Sequence, residues 1–355
     1  MEILAVNVGS SSIKLDRFDG STTPPRHIAA LRPSLGTTPL AELPTPALIV
    51  HRVVHGGALA QPARIDAAIE AQIEACAGMA PLHNPPALAM IRACRQRFGD
   101  AVAQIAVFDT AFFADLPAAA QAYALPRDLI ETHGIRRYGF HGLAHQALWR
   151  AWQEHTGRSG RVVTLQLGAG CSAAAIADGR PRDTSMGFTP LEGLVMATRG
   201  GDLDPGLLLH LLRTGGLDAA QLEVMLTEQS GLLGLAGSAD MRALLVDPSP
   251  AAAHAIDVYC QRVRKYIGAY AAVLGGLDGI VFGGGVGEHA PQVRAGILNG
   301  MQWLGVGLDT AANAAANGPA SCISAAGSPC AVWVFSVDEA TELARAGQGF
   351  LTDAA

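Results

Sequence analysis

ILAVNVGSSSIKLDRF, residues 3–18, reads as a buried strand, a small polar tip and a returning strand. The apolar run 3–8 stops at Gly9, three serines follow, and Ile13 to Phe18 alternates before the Asp19-Gly20 turn. The pattern returns at 162–177, VVTLQLGAGCSAAAIA, closed by Asp178-Gly179. Aligned, Asn7 falls on Gln166, Gly9 on Gly168 and Ser10 on Ala169. Two such hairpins in separate halves predict a duplicated α/β fold with a cleft between the halves. A third glycine-rich element, DGIVFGGGVG at 278–287, predicts strand, turn and then a helix from about Pro291.

Helical spacing is read at 85–98, 141–157, 205–214, 251–274 and 338–351. Residues 20–47, rich in Pro and Thr, read as a loop or short excursion. The 355 residues predict two domains, and half of them are hydrophobic, enough for a substantial core. Net charge is -6 with no Lys/Arg run, which argues against a nucleic-acid partner. The N-terminus lacks a signal-peptide pattern and no run is long enough to span a bilayer, so a cytoplasmic protein without membrane contact is expected. Six scattered cysteines without CxxC spacing read as reduced thiols.

Glycine and hydroxyl tips at strand ends form anion-binding concavities, and Lys14 lies close after Ser12. No GxxxxGK[ST] is present, so this is not a P-loop protein, and GGGVGE misses the dinucleotide spacing. HRVVHGG (51–57) puts Arg52 on a strand before a glycine pair. PLHNPP (81–86) holds His83 in a turn between prolines, and Asp109 ends the apolar run before it. RRYGFHG (136–142) crowds cations and His141 beside glycines. The two H-x3-H pairs lack the HExxH glutamate of zinc helices, so zinc is not expected. DTSMGFTPLEGLVMATRGGDLDP (183–205) mixes acids, the lone Arg199 and a Gly pair. It suits a site holding anionic groups and a metal. The alternative is a long surface loop with a helix start at Asp204-Pro205.

With NVGSSSIK, HRVVHGG, PLHNPP, FDTAFF, RRYGFHG, DTSMGFTPLEGL, TRGGDLDP, SADMR, GGGVGE and VDE in order, the chain resembles the acetate kinase family of the acetate and sugar kinase/Hsp70/actin superfamily. The resemblance runs from residue 1 to about 350. It implies a duplicated, actin-like (ribonuclease H-like) fold. The N-terminal domain would span 1–113 with a helix at 341–353 packing back on it, and the C-terminal domain 114–340 would carry the nucleotide side and a homodimer interface. It implies transfer of a phosphoryl group from ATP to acetate or another short-chain acid, with Mg²⁺ or Mn²⁺. Arg52 and Arg199 would hold the carboxylate and the phosphoryl in flight, His141 would stabilise the transferring phosphoryl, and His83 would support the acyl phosphate side. Asp109 and Glu339 would position the metal, with Asn7 nearby. Asn7, Ser10, Ser12 and Lys14 would form the first phosphate loop and Gly168 and Gly170 the second. Asp240, Met241 and Arg242 would face the adenosine, and Gly285 and Val286 the adenine. Val54, Leu82, Phe140 and Pro190 would surround the methyl group.

Departures from the family pattern concentrate on the donor side. Ala169 replaces an amide, His289 an Asn, Gly200 a Ser and Ala340 a second Glu, and 16–51 is shortened. They leave two other readings standing: another phosphoryl donor such as pyrophosphate, or a non-catalytic binding paralogue. Propionate is the alternative acid.

Overall fold

The computed structural model describes residues 1–9, 13–32 and 39–353. Two sheets organise the chain. In the first, β1 (Glu2–Val8), β2 (Ile13–Asp19), β3 (Arg26–Leu31), β4 (Leu48–Val53), β5 (Ala63–Arg64) and β6 (Ala103–Phe108) take the order β3-β2-β1-β4-β6-β5. In the second, β7 (Arg161–Leu167), β8 (Cys171–Ala177), β9 (Arg180–Thr184), β10 (Gly279–Gly283), β11 (Ala320–Cys322) and β12 (Ala331–Phe335) take the order β11-β12-β10-β7-β8-β9. Each sheet begins with an antiparallel three-strand meander. Each continues through a parallel pair, β4 and β6 or β10 and β12, before an antiparallel edge strand.

The repeat extends to an irregularity. Pairing of β2 with β3 slips between Arg17 and Phe18, and pairing of β8 with β9 slips between Ala175 and Ile176. Both slips fall between the fifth and sixth residues of the second strand, so the two meanders carry the same bulge at the same place. β1, β7 and β10 are buried along nearly their whole length, as strands with parallel neighbours and helices packed on the sheet are.

Contacts divide the chain into two compact units: 1–114 with 140–147 and 338–355, and 115–139 with 148–337. Residues 140–147 fall in the first unit, whereas the sequence reading assigned 114–340 to the second. In the first unit the helix Glu339–Asp353 lays Leu343 and Ala344 on Ile3, Ala5 and Val50. A Cβ at Gly347 would come within 2.6 Å of the Val50 side chain, so the helix approaches the sheet only because that position is glycine.

Two sequence expectations need correction. The region 20–47 is more than a loop: it holds β3, and a short 3-10 turn Pro39–Glu42 that puts Leu40 among Leu4, Val6 and Ile49. β3 is a largely exposed edge strand without alternation, so its register with β2 defines it and its composition does not. The second concerns the helix expected from Pro291, which is preceded by another, Gly284–His289. Gly284 has φ 75° and a Cβ there would meet the Leu167 carbonyl at 2.7 Å, so the chain turns directly from β10 into helix. The six cysteines are all free thiols. No helix among the described residues is long and apolar enough to cross a membrane.

His51, on β4, is buried, and its Nε2 donates to Gln104 Oε1 on β6 at 2.6 Å. Burial, partly countered by that bond and helped by the charge of Arg95, lowers its pKa to about 4. An unfolded histidine protonates near 6.5. The neutral native ring therefore contributes stability fully present above about pH 6.5 and lost as pH falls through 4, on the order of 3 kcal/mol. His51→Asn should flatten the acid limb of a urea-denaturation pH series in that window. An unchanged slope would show that His51 does not set it.

Candidate active site

Three parallel strands of the first unit deliver polar side chains at their carboxyl ends, where open α/β sheets place ligands. Asn7 comes from β1 and Arg52 from β4, and Asp109 follows β6 directly. Glu339, the first residue of the C-terminal helix, joins them. Arg52 donates to both oxygens of the fully buried Asp109, through Nε at 3.0 Å and Nη2 at 2.6 Å. Its Nη1 donates to Asn7 Oδ1 at 3.1 Å and Glu339 Oε2 at 3.3 Å, and Asn7 Nδ2 donates to the same Glu339 oxygen at 2.7 Å. Burial disfavours the Arg52 charge, but the Asp109 and Glu339 carboxylates outweigh it and hold the guanidinium above its ordinary range. The fork is fixed in orientation and permanently charged.

The turn after β4 is stapled by a residue the sequence reading passed over. Asn84, wholly buried, accepts from His55 N–H at 3.1 Å and donates to the His55 and Ile73 carbonyls. It opens the helix Asn84–Phe98, with Pro85 and Pro86 in the first turn, and His83 precedes it. Gly56 N–H donates to Thr110 Oγ1 at 3.1 Å, and a Cβ at Gly56 would strike the Phe108 ring. Val54 is thereby held buried, and the buried Phe140 meets His55 edge to face at 5.5 Å. Leu82 remains 45% exposed.

His141 adopts φ 59°, unusual for a residue with a side chain. Such strain of roughly 1–3 kcal/mol persists only where the surroundings impose it. They do so here: a Cβ at Gly142 would lie 2.0 Å from the Asp109 carbonyl oxygen, so the His141 turn rests on the Asp109 turn. The helix Gly142–Thr156 then begins, with His145 N–H bonding to the His141 carbonyl at 2.9 Å.

In the second unit the β7–β8 tip is closed by Gly168 N–H on the Gly170 carbonyl at 3.1 Å. The Ala169 carbonyl accepts from Ala197 N–H at 3.0 Å, so the backbone holds this tip against the segment after β9. That segment is no surface loop: Met186, Leu194 and Met196 are wholly buried. Arg199 on it donates to the Pro190 carbonyl at 2.8 Å and has no acid partner among the described residues. Burial pulls its pKa below the ordinary arginine value, against the opposing influence of Cys171. Gly285, in the helix Gly284–His289, has open space where a Cβ would point. Asp240 caps the helix Met241–Val246 and pairs with Arg242 at 2.8 Å on the surface, while Met241 is buried.

A family model described as the acetokinase family matches residues 34–345. The chain belongs to the acetokinase family. A protein called acetate kinase from Clavibacter sepedonicus is 47% identical over 314 residues, 86% of this chain and 79% of that one. The crystal structure of Porphyromonas gingivalis acetate kinase superposes with a TM-score of 0.86 at 32% identity, covering 99% of each chain. That of a propionate kinase from Francisella tularensis subsp. tularensis SCHU S4 gives 0.88 at 32% identity, covering 97% of this chain and 98% of that one. The actin-like, duplicated α/β fold of this family is the fold seen here.

Of the residues to which the family resemblance gives roles, Asn7, Arg52, Asp109 and Glu339 form one bonded network in the first unit. Lys14 is the exposed cross-strand partner of Asn7. Ser10 and Ser12 lie outside the described residues. Pro190, Arg199, Gly168, Gly170, Asp240, Met241, Arg242, Gly285 and Val286 belong to the second unit. Asn84, Thr110 and Gly142 gave only weak signals, an Asn before two prolines and small residues beside a motif, because their partners are distant in sequence.

Proposed function

We propose that this chain is a reversible acetate kinase, converting ATP and acetate to ADP and acetyl phosphate. The observation that carries the reading is the Asn7–Arg52–Asp109–Glu339 network at the strand ends, in a chain of this family. Acetate is ionised at neutral pH, so its oxygen attacks the γ-phosphorus without a strong base. A carboxylate O–P bond forms while the bond from phosphorus to the ADP leaving oxygen breaks, and the catalytic demand is alignment and charge neutralisation. Arg52, oriented by Asp109, holds the acid. The family resemblance assigns Val54, Leu82, Phe140 and Pro190 to its methyl group, and His83 to the acyl phosphate product. Arg199 and His141 stabilise the phosphoryl in flight.

The oxygen donors Asn7, Asp109 and Glu339 suit Mg²⁺, which is commonly held by one or two carboxylates together with substrate phosphates. Among the described residues no group of three or more His, Cys, Asp or Glu forms a ready-made cage. When bound, Mg²⁺ supplies neutralisation of the β- and γ-phosphate charge. The 168–170 tip, the first loop with Ser10, Ser12 and Lys14, Asp240 to Arg242, and Gly285 with Val286 take the nucleotide. Ala169 is compatible with this role because its backbone carbonyl, and not its side chain, fixes the tip.

Hydroxylamine trapping tests the reading. Folded protein with ATP, Mg²⁺ and acetate should yield acetyl hydroxamate. Formation with pyrophosphate alone would reassign the donor, and none with any donor would overturn the kinase reading.

The protein works as a cytoplasmic homodimer through its second unit. The helix Pro205–Thr214 buries none of its residues, and Leu203, Leu207, Leu209 and Leu212 are each about half exposed. Apolar patches of this kind mark association surfaces. Sedimentation should show a dimer, and Leu207→Lys with Leu209→Lys should give a monomer. Wild type that sediments as a monomer at micromolar concentration refutes the assignment.

A further inference from the structure

Among the described residues Arg199 has no acid partner, and something other than an acid must aim it. We infer that Asp202, Arg262 and Tyr266 form a clasp that closes the loop 193–202 and positions Arg199. This inference rests on the assignment of Arg199 to the transferring phosphoryl.

The loop ends meet at Gly193 and Asp202. Asp202 N–H donates to the Gly193 carbonyl at 3.1 Å, and Gly193 N–H donates back to Asp202 Oδ1 at 2.8 Å. The long helix Pro250–Leu274 supplies the other two members. Arg262 Nη1 donates to the Gly193 carbonyl at 2.8 Å and Nη2 to the Asp202 carbonyl at 3.3 Å. Tyr266 Oη donates to Asp202 Oδ2 at 2.9 Å, with Oδ1 at 3.1 Å. Both ends of the loop are thus tied to one rigid helix.

Between the ends the backbone has little freedom. Met196 N–H bonds to the Arg199 carbonyl at 2.9 Å, and the Met196, Ala197 and Thr198 carbonyls accept from Leu232, Leu233 and Ser230. Gly201 has φ 72°, and a Cβ there would lie 2.3 Å from the Gly193 carbonyl oxygen. The loop is therefore a closed ring held at its middle by Ser230, Leu232 and Leu233 and at its two ends by the clasp, so moving the ends tilts Arg199 about the middle anchor. Asp202 spends its charge on Tyr266, Arg262 and a backbone amide, three residues from Arg199, and Arg199 stays available to an anion. Asp202, Arg262 and Tyr266 are positioning residues in this scheme, since none is assigned to a substrate.

The test is a double-mutant cycle. Tyr266→Phe removes one hydroxyl, and Asp202→Asn keeps shape and an acceptor oxygen; Arg262→Lys is a third probe should either fold poorly by melting temperature. Each should lower kcat roughly ten-fold, because small misplacements of a catalytic group carry large rate costs, with little change in the KM for ATP. In an Arg199→Ala background the same changes should alter kcat less than about two-fold, because the group they aim is gone. Equal losses in both backgrounds, or full activity in the single variants, would overturn the clasp. If Arg199→Ala alone retains kcat, the role of Arg199 itself is wrong and the clasp falls with it.

Discussion

Asp109→Ala lowers stability by roughly 3–5 kcal/mol and removes nearly all acyl phosphate formation, the largest combined effect expected of any single change. The reason is asymmetry. Arg52 is mostly buried, and its fork closes on Asp109 through two bonds. Removing the acid leaves a desolvated guanidinium with the Glu339 carboxylate and the Asn7 amide, too few partners to fix its orientation. In the proposed assignment the acetate then loses its aimed donor and Mg²⁺ one of its oxygens. Replacing both members, Arg52→Leu with Asp109→Leu, should recover much of the stability, because an apolar pair avoids the buried charge, and none of the activity. Urea denaturation and the hydroxamate assay separate the two effects. A single Asp109→Ala variant as stable as wild type would mean that the pair is open in solution.

Arg199→Ala lowers kcat on the order of 10²-fold or more and leaves the fold intact. Here the asymmetry runs the other way. Among the described residues Arg199 donates to the Pro190 carbonyl and pairs with no carboxylate, so its loss strands no charge there. Its truncation therefore costs little in the free protein and much in the transition state, where charge develops on the phosphoryl oxygens. Melting temperature should move by no more than a few degrees. An unchanged kcat would remove Arg199 from the chemistry. A large loss of stability would make it a structural cation.

The two arginines illustrate what could be read in advance. Each stands shortly before a glycine pair, Arg52 before Gly56-Gly57 and Arg199 before Gly200-Gly201, and both are candidates from sequence. Nothing in the sequence distinguished the locked one from the one without an acid partner, because their environments are built by residues far away. Asp109 lies many positions from Arg52, and Asn7 and Glu339 come from opposite ends of the chain. Asn84 escaped notice for the same reason: its value lies in three backbone groups that only the fold brings to it. The segment 183–205 was legible as unusual, yet its burial was not. Its hydrophobics follow no period, and its order comes from backbone bonds to Ser230, Leu232 and Leu233 and from the helix Pro250–Leu274.

By itself the sequence determined the duplicated strand–tip–strand hairpins, the major helices and the family. These rest on local patterns of apolar burial and on ordered motifs, which need no distant partner to be read. Tertiary structure alone decided the edge strand β3, the helix beginning at Gly284, the strained backbone of His141 against Asp109 and the partners of each arginine. Each of those depends on packing or hydrogen bonding between residues far apart in the chain, a property of the folded molecule that local propensity does not encode.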